Sequence, residues 1–456
     1  MENRNSENQF TIVLIVVAIL QFFTWFKPSE PFFTPFVLEQ FNITEKTLIS
    51  DIYAYDVVFQ LLSGVVVGLS FWIFGHQGAF LICSASSIAS VSCVLFSSSQ
   101  WVLLMSQAFW ALSFSALYVL LIALLQLFPR KLFQKAVSIN SFSMLVSSTI
   151  SGFTGFMLLQ FSPAVKDQHG RRITFFVTFA SVIVAFAVLC FSVSPCINIF
   201  SRKIPKTKSV PKENRKCHSH LLRIKQMLVN LNLVAWLVLS SIMRGIHTEV
   251  LTLWQILAEE IDVTGTQSKY NGIISMVAYI LAAILVLLPI KLESLIVRHL
   301  WWLSPTVLAL AMAALVCLSQ SQAIASLGVF YVFFHALAET FLAVATAQMA
   351  KAAYTDQISD SDYGQTFVIL LSAKYMLSLL VEVVVQLVIW PHWGIYHNIF
   401  KFDFDIRQQI LGLGSCIAFA FILAVLLGVR MFFQQRTQRE VEKSTTNEKL
   451  LGDTTL

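Results

Sequence analysis

Residues 173–195 read ITFFVTFASVIVAFAVLCFSVSP, and residues 202–225 read RKIPKTKSVPKENRKCHSHLLRIK. The first stretch has no charge and is long enough to cross the ~30 Å hydrocarbon core of a bilayer as a helix. The second is polar and basic, with Lys203, Lys206, Lys208, Lys212, Arg215, Lys216, Arg223 and Lys225. An apolar span that runs directly into a Lys-rich segment is a membrane helix emerging on the cytoplasmic side. Working outward, apolar blocks fall at 10–26, 50–73, 79–98, 101–128, 136–160 and 172–195. After the basic segment they fall at 231–258, 270–290, 300–318, 324–349, 363–390 and 408–433.

Composition agrees. Of 456 residues, 57% are hydrophobic and 12% are charged, about half the charged share of a soluble protein. A soluble globular domain and a disordered chain are excluded. Blocks of this length also exclude an outer-membrane barrel, whose strands alternate apolar and polar residues. The expected fold is therefore an all-α membrane protein with twelve transmembrane helices in two six-helix halves. Residues 1–195 form the N-terminal half and 196–230 a basic cytoplasmic linker. Residues 231–433 form the C-terminal half and 434–456 a polar, disordered cytoplasmic tail. This is the major-facilitator layout, with a substrate site between the halves near the midplane.

Lys and Arg collect at Arg4, the turn from Arg130 to Lys135, the linker, Lys291, Arg298, Lys351 and the tail. That bias places both termini in the cytoplasm. The basic residues sit in loops, so the net charge of +6 reports orientation and not nucleic-acid binding. Asn42-Ile43-Thr44 is a glycosylation sequon in the first outside loop. Cys217-His218-Ser219-His220 has no second ligand cluster nearby and reads as a solvated loop without metal.

Charges at membrane depth cost about 2.5–3.5 kcal/mol each, so the few present mark a pathway or a structural pair. In the seventh block Arg244 and His247 share a side, with Glu249 turned about 140° from Arg244. His335 and Glu339 lie four apart in the tenth block. Lys374, Ser378 and Glu382 form a stripe in the eleventh. Glu339 and Lys374 are the expected neutralising pair. Asp56 opens the second block. Lys27-Pro28-Ser29-Glu30-Pro31 breaks the first helix and puts Glu30 at the outer mouth of a cavity. The expected substrate pathway is Glu30, Asp56, Arg244, His247, His335, Glu339, Lys374 and Ser378. Arg244 and Lys374 are the cations that suit an anionic substrate group. No His-Glu-x-x-His, Gly-x-Ser-x-Gly or facing aspartate pair is present, so no enzyme chemistry and no cofactor are expected.

Residues 27–36, KPSEPFFTPF, resemble the signature after the first helix of the reduced folate and thiamine carrier family. Phe133-Gln134-Lys135, Tyr270-Asn271-Gly272 and Ala345-Thr346-Ala347-Gln348-Met349-Ala350 resemble further family segments, in the same order. The resemblance implies alternating access for a water-soluble vitamin at the plasma membrane. It implies a proton or an organic anion as counter-substrate for a folate carrier, and a cationic substrate for a thiamine carrier. Glu30 and the glycosylated Asn42 carry over. Departures fall at Leu117, Trp72, His335 and Ser378, where folate carriers place charged residues. Three readings stay open: a folate-like carrier with Glu30 and Tyr55 or Phe32 on the pterin, a thiamine carrier, and a diverged carrier-shaped protein or receptor with little or no folate transport.

Overall fold

A computed structural model describes residues 2–44, 47–125, 130–161, 168–201, 229–262, 270–291, 293–353, 370, 373–385 and 405–452. Their secondary structure is helical throughout. The helices are α1 (Glu2–Trp25), α2 (Phe33–Phe41), α3 (Ala54–Phe96), α4 (Gln100–Leu125), α5 (Arg130–Phe161) and α6 (Gln168–Ser201). They continue as α7 (Leu231–Ile261), α8 (Asn271–Lys291), α9 (Glu293–Ser319), α10 (Ile324–Ala353), α11 (373–385) and α12 (Ile406–Gly452). Among the described residues, eight stretches are long and apolar enough to cross a membrane. Asn271–Leu287 is a shorter apolar helix. Large side chains such as Trp101, Phe161, Phe191 and Leu426 point outward, as lipid-facing residues do when lipid tails replace water.

The helices pack in two groups. In the first, α1 lies on α5 and α6, and α3 lies on α4 and α6. In the second, α7 and α9 pack on α10 and α12, and α8 packs on α10. The groups meet chiefly where α5 crosses α8. Glycines make that crossing close. A Cβ on Gly152 would lie 2.7 Å from the Gly272 carbonyl oxygen, and a Cβ on Gly272 would lie 2.7 Å from the Gly152 oxygen.

Three local readings change. The blocks at 50–73 and 79–98 are one helix, α3, of 43 residues. A straight helix of that length would run about 65 Å, twice a bilayer core. It is bent instead: a Cβ on Gly78 would fall 2.3 Å from Phe74 Cβ, where a straight helix keeps such pairs about 5–6 Å apart.

The break at Lys27–Pro31 lies inside the first span, which runs from Thr11 to Phe41, and not at its outer end. The chain passes through a 3-10 turn, Glu30–Phe32, into α2. It ends at Asn42, which is exposed and left-handed with φ 50°. The third change concerns residues 434–452, given as a disordered tail by their polarity, which continue α12 as helix to Gly452. Gln, Arg, Glu and Lys dominate there and all favour helix. Residues 202–228 of the basic linker, including Cys217, His218 and His220, lie outside the described residues.

Candidate functional site

The break in the first span is held by its neighbours. A helix that stops leaves its last carbonyls short of partners. Ser181 Oγ of α6 donates to the Phe23 carbonyl at 2.8 Å, and Ser147 Oγ of α5 adds a second donor to the Phe22 carbonyl, which also accepts the Phe26 N–H at 2.9 Å. The backbone N–H of Ser29 donates to Thr178 Oγ1 at 3.2 Å. Gly155 of α5 admits the turn, since a Cβ there would lie 2.5 Å from the Pro28 oxygen. From the other group, Gln255 Nε2 of α7 donates to the Glu30 carbonyl at 3.3 Å. The broken segment is thus clamped between the two helix groups.

It forms one wall of a cavity between the helix groups, about 1350 Å³ counting its open mouth. Lys27, Glu30 and Phe33 come from the break. Tyr53, Asp56 and Gln60 come from the start of α3 and the turn before it, and Trp110 from α4. Arg244, His247 and Gln255 come from α7, Tyr279 from α8, and His335 and Glu339 from α10.

The charges are arranged in pairs. Arg244 Nη1 lies 3.6 Å from Glu339 Oε1, with both side chains mostly buried. His247 Nε2 and His335 Nδ1 are 2.9 Å apart, and His247 Nδ1 is 3.7 Å from the same Glu339 oxygen. Lys27 Nζ sits 3.8 Å from the Trp110 ring centroid and 5.1 Å from that of Trp25, a cation–π arrangement. Asp56 Oδ2 accepts from Gln60 Nε2 at 2.8 Å, and the Gln60 oxygen accepts from Tyr375 of α11.

Six of the eight expected pathway residues line this cavity: Glu30, Asp56, Arg244, His247, His335 and Glu339. Lys374 and Ser378 are not among its lining residues. They sit on α11 behind α7, where Ser241 Oγ donates to the Lys374 carbonyl and Gly245 abuts the Ser378 oxygen. Lys374 Nζ donates to Thr346 Oγ1 at 3.2 Å, and the described ion-pair partner of Glu339 is Arg244 in place of the expected Lys374. Glu249 and Glu382 are buried in the same α7–α11 region. The aromatic partners shift as well. Phe32 is buried and packs against the Gly155 position, and Tyr55 is exposed, so Phe33 and Tyr53 reach the cavity in their place. The side chains at Trp72 and Leu117 lie outside the described residues.

Lys27, read from the sequence only as part of the helix break, is also a cavity residue. Sequence reasoning missed Trp110, Gln255 and Tyr279. These are ordinary aromatic or amide residues within apolar blocks, and only the helix rotation brings them inward.

The sequence model of the reduced folate carrier family matches residues 8–218. A folate-like transporter of Dictyostelium discoideum is 22% identical over 409 residues, covering 88% of this chain. Over that stretch the chain is similar to the reduced folate carrier family. It spans 64% of the length of that Dictyostelium relative. The xylose transporter XylE from E. coli is 13% identical over 91% of this chain and 96% of its own, and superposes with a TM-score of 0.59. A second structure of XylE, described as a major facilitator superfamily proton:xylose symporter, gives 0.60 at 14% identity over 92% and 95% of the two chains. At these identities the likeness speaks for the fold, which is that of the major facilitators.

Proposed function

We propose that the chain is a membrane transporter for an organic anion of the folate type. It works by alternating access between two six-helix halves, residues 1–195 and 231–433. Twelve spans place both termini in the cytoplasm, at the plasma membrane, with a glycan on Asn42. The observation that carries the reading is Arg244. It stands in the wall of a cavity between the two helix groups, and among the described residues its ion pair is with Glu339 at 3.6 Å. A guanidinium so placed can exchange Glu339 for a substrate carboxylate, which it binds in the bidentate manner that Arg favours. Glu30, with Phe33, Tyr53 and Tyr279, offers a carboxylate and aromatic faces for a flat, hydrogen-bonding ring.

A thiamine substrate is the second reading, and the three carboxylates Glu30, Asp56 and Glu339 favour it. Against it, Lys27 already occupies the faces of Trp110 and Trp25 that a thiazolium cation would need. A receptor or diverged carrier without flux is the third reading, supported by the departures at Trp72, Leu117 and Ser378. The test is uptake in cells lacking folate and thiamine carriers, with surface protein verified. Arg244→Gln abolishes saturable folate uptake if the proposal holds. Saturable uptake of thiamine alone favours the second reading, and no uptake of either favours the third.

A further inference from the structure

His247 and His335 form a line in the cavity wall that substrate contacts leave unexplained. The two residues are 1% and 0% exposed. Their rings share one hydrogen bond, His247 Nε2 to His335 Nδ1 at 2.9 Å. A neutral imidazole has one N–H and one acceptor nitrogen. His247 Nδ1 faces the Glu339 carboxylate at 3.7 Å, which favours the hydrogen on Nδ1 and leaves Nε2 as the acceptor. His335 Nδ1–H then donates to it, and His335 Nε2 becomes a buried lone pair. That nitrogen has no hydrogen-bond partner among the described residues, and a buried polar atom without a partner calls for an explanation.

The groups facing this line come from every side. Arg244 of α7 pairs with Glu339. Tyr279 of α8 meets the His335 ring edge-on, centroids 4.6 Å apart, and Tyr331 of α10 lies at 5.8 Å. Glu30 and Lys27 of the broken segment line one pocket with both tyrosines, and Lys374 of α11 donates to Thr346 of α10.

We propose that His335, His247 and Glu339 form a proton wire, and that this proton is co-transported with the anion, its arrival on Glu339 releasing Arg244 to the substrate. The inference rests on the anion reading above. A proton from water entering the open cavity that His335 lines adds at His335 Nε2, and the Nδ1 proton of His335 passes to His247 Nε2. The Nδ1 proton of His247 then passes to Glu339 Oε1, after a small rotation of the carboxyl closes the 3.7 Å gap. One proton has entered, both imidazoles are neutral with exchanged tautomers, and the carboxylate has become an acid. Arg244 has lost its counter-charge and takes the substrate carboxylate. The reverse hops restore the starting state after release. Coupling is reciprocal, so the bound anion holds the proton on Glu339.

Two readouts on the full purified chain test this. The first needs no substrate: infrared difference spectra on acidification from pH 7.5 to 5.5. Wild type gains a protonated-carboxyl band that Glu339→Gln lacks and that Glu339→Asp retains at a shifted position. No such band in wild type, or an unchanged band in Glu339→Gln, overturns the proposal. The second is folic acid binding and folate-driven proton entry into liposomes loaded with a pH-sensitive dye. Wild-type affinity rises toward acid by at most about tenfold per pH unit, the limit for one linked proton, and Glu339→Gln is flat. His335→Gln keeps the pH-linked affinity but loses at least tenfold in proton entry; a wild-type rate in that variant overturns the wire. A Glu339 band without folic acid binding at either pH leaves the proton site standing and refutes the anion reading alone.

Discussion

Replacing Gly152 by alanine puts a methyl group into the closest contact between the two helix groups. Its Cβ would lie 2.7 Å from the Gly272 oxygen and 3.0 Å from the Met276 nitrogen, both backbone atoms of α8. Ordinary contact begins near 3.4 Å, so α5 and α8 must part by about 0.7 Å. Neither helix backbone can fold away as a side-chain tip would. Overpacking of this kind costs about 1–3 kcal/mol. Gly272→Ala meets the same gap from the other side, 2.7 Å from the Gly152 oxygen. Once one methyl has parted the helices, the second finds the space already open. The double variant is therefore expected to cost little more than either single one, a coupling of about 1–3 kcal/mol between contacting sites. The assay is thermal unfolding of the four purified proteins in one detergent, by tryptophan fluorescence. Losses that add, or single variants with wild-type stability, would refute the reasoning. If the crossing is a gate, the same 1–3 kcal/mol shifts the open and closed populations roughly 5- to 150-fold, read as altered uptake by Gly152→Ala at matched surface levels.

Arg244→Gln strips Glu339 of its described ion-pair partner and should destabilise the protein by about 3 kcal/mol, as broken buried pairs do. Adding Glu339→Gln should recover stability but not folate uptake, and melting curves beside uptake separate the two effects. Trp110→Ala removes the nearer ring over Lys27 and should cost about 0.5–2 kcal/mol, which Trp110→Phe should largely restore in the same melting assay. Asn42→Gly keeps the left-handed end of α2 at no backbone penalty, so it should abolish the glycosylation proposed at Asn42, seen as a gel shift, without lowering stability.

Much of the fold was legible because lipid imposes long uncharged runs on any helix that crosses it. The runs at 172–195 and 231–258 emerge as α6 and α7 almost as read. The bend of α3 was not legible as a bend, since Phe74–Gly78 differs little from the apolar sequence around it. The break at Pro28–Pro31 was legible, but its depth was not. Proline marks where hydrogen bonding fails, whereas Phe33–Phe41 continues the span only because it packs against α3, α4 and α6. In the site, charge at membrane depth singled out Arg244, His247, His335 and Glu339, and all four line the cavity. Which charges meet was decided by helix rotation: Lys374 lies in the block after that of Glu339 and carries a suitable charge, yet its ammonium donates to Thr346. The histidine pair joins residues 88 positions apart, and no spacing rule within one helix reveals such a contact.

The central claim is that this cavity carries an organic anion of the folate type. Labelled folate and labelled thiamine should be presented side by side to cells lacking both carriers, at pH 5.5 and 7.4, with the wild-type protein and Arg244→Gln matched at the surface. Saturable folate uptake by wild type, greater at pH 5.5, and none by Arg244→Gln is the expected result. Saturable thiamine uptake that survives Arg244→Gln, with no folate uptake at either pH, would contradict it.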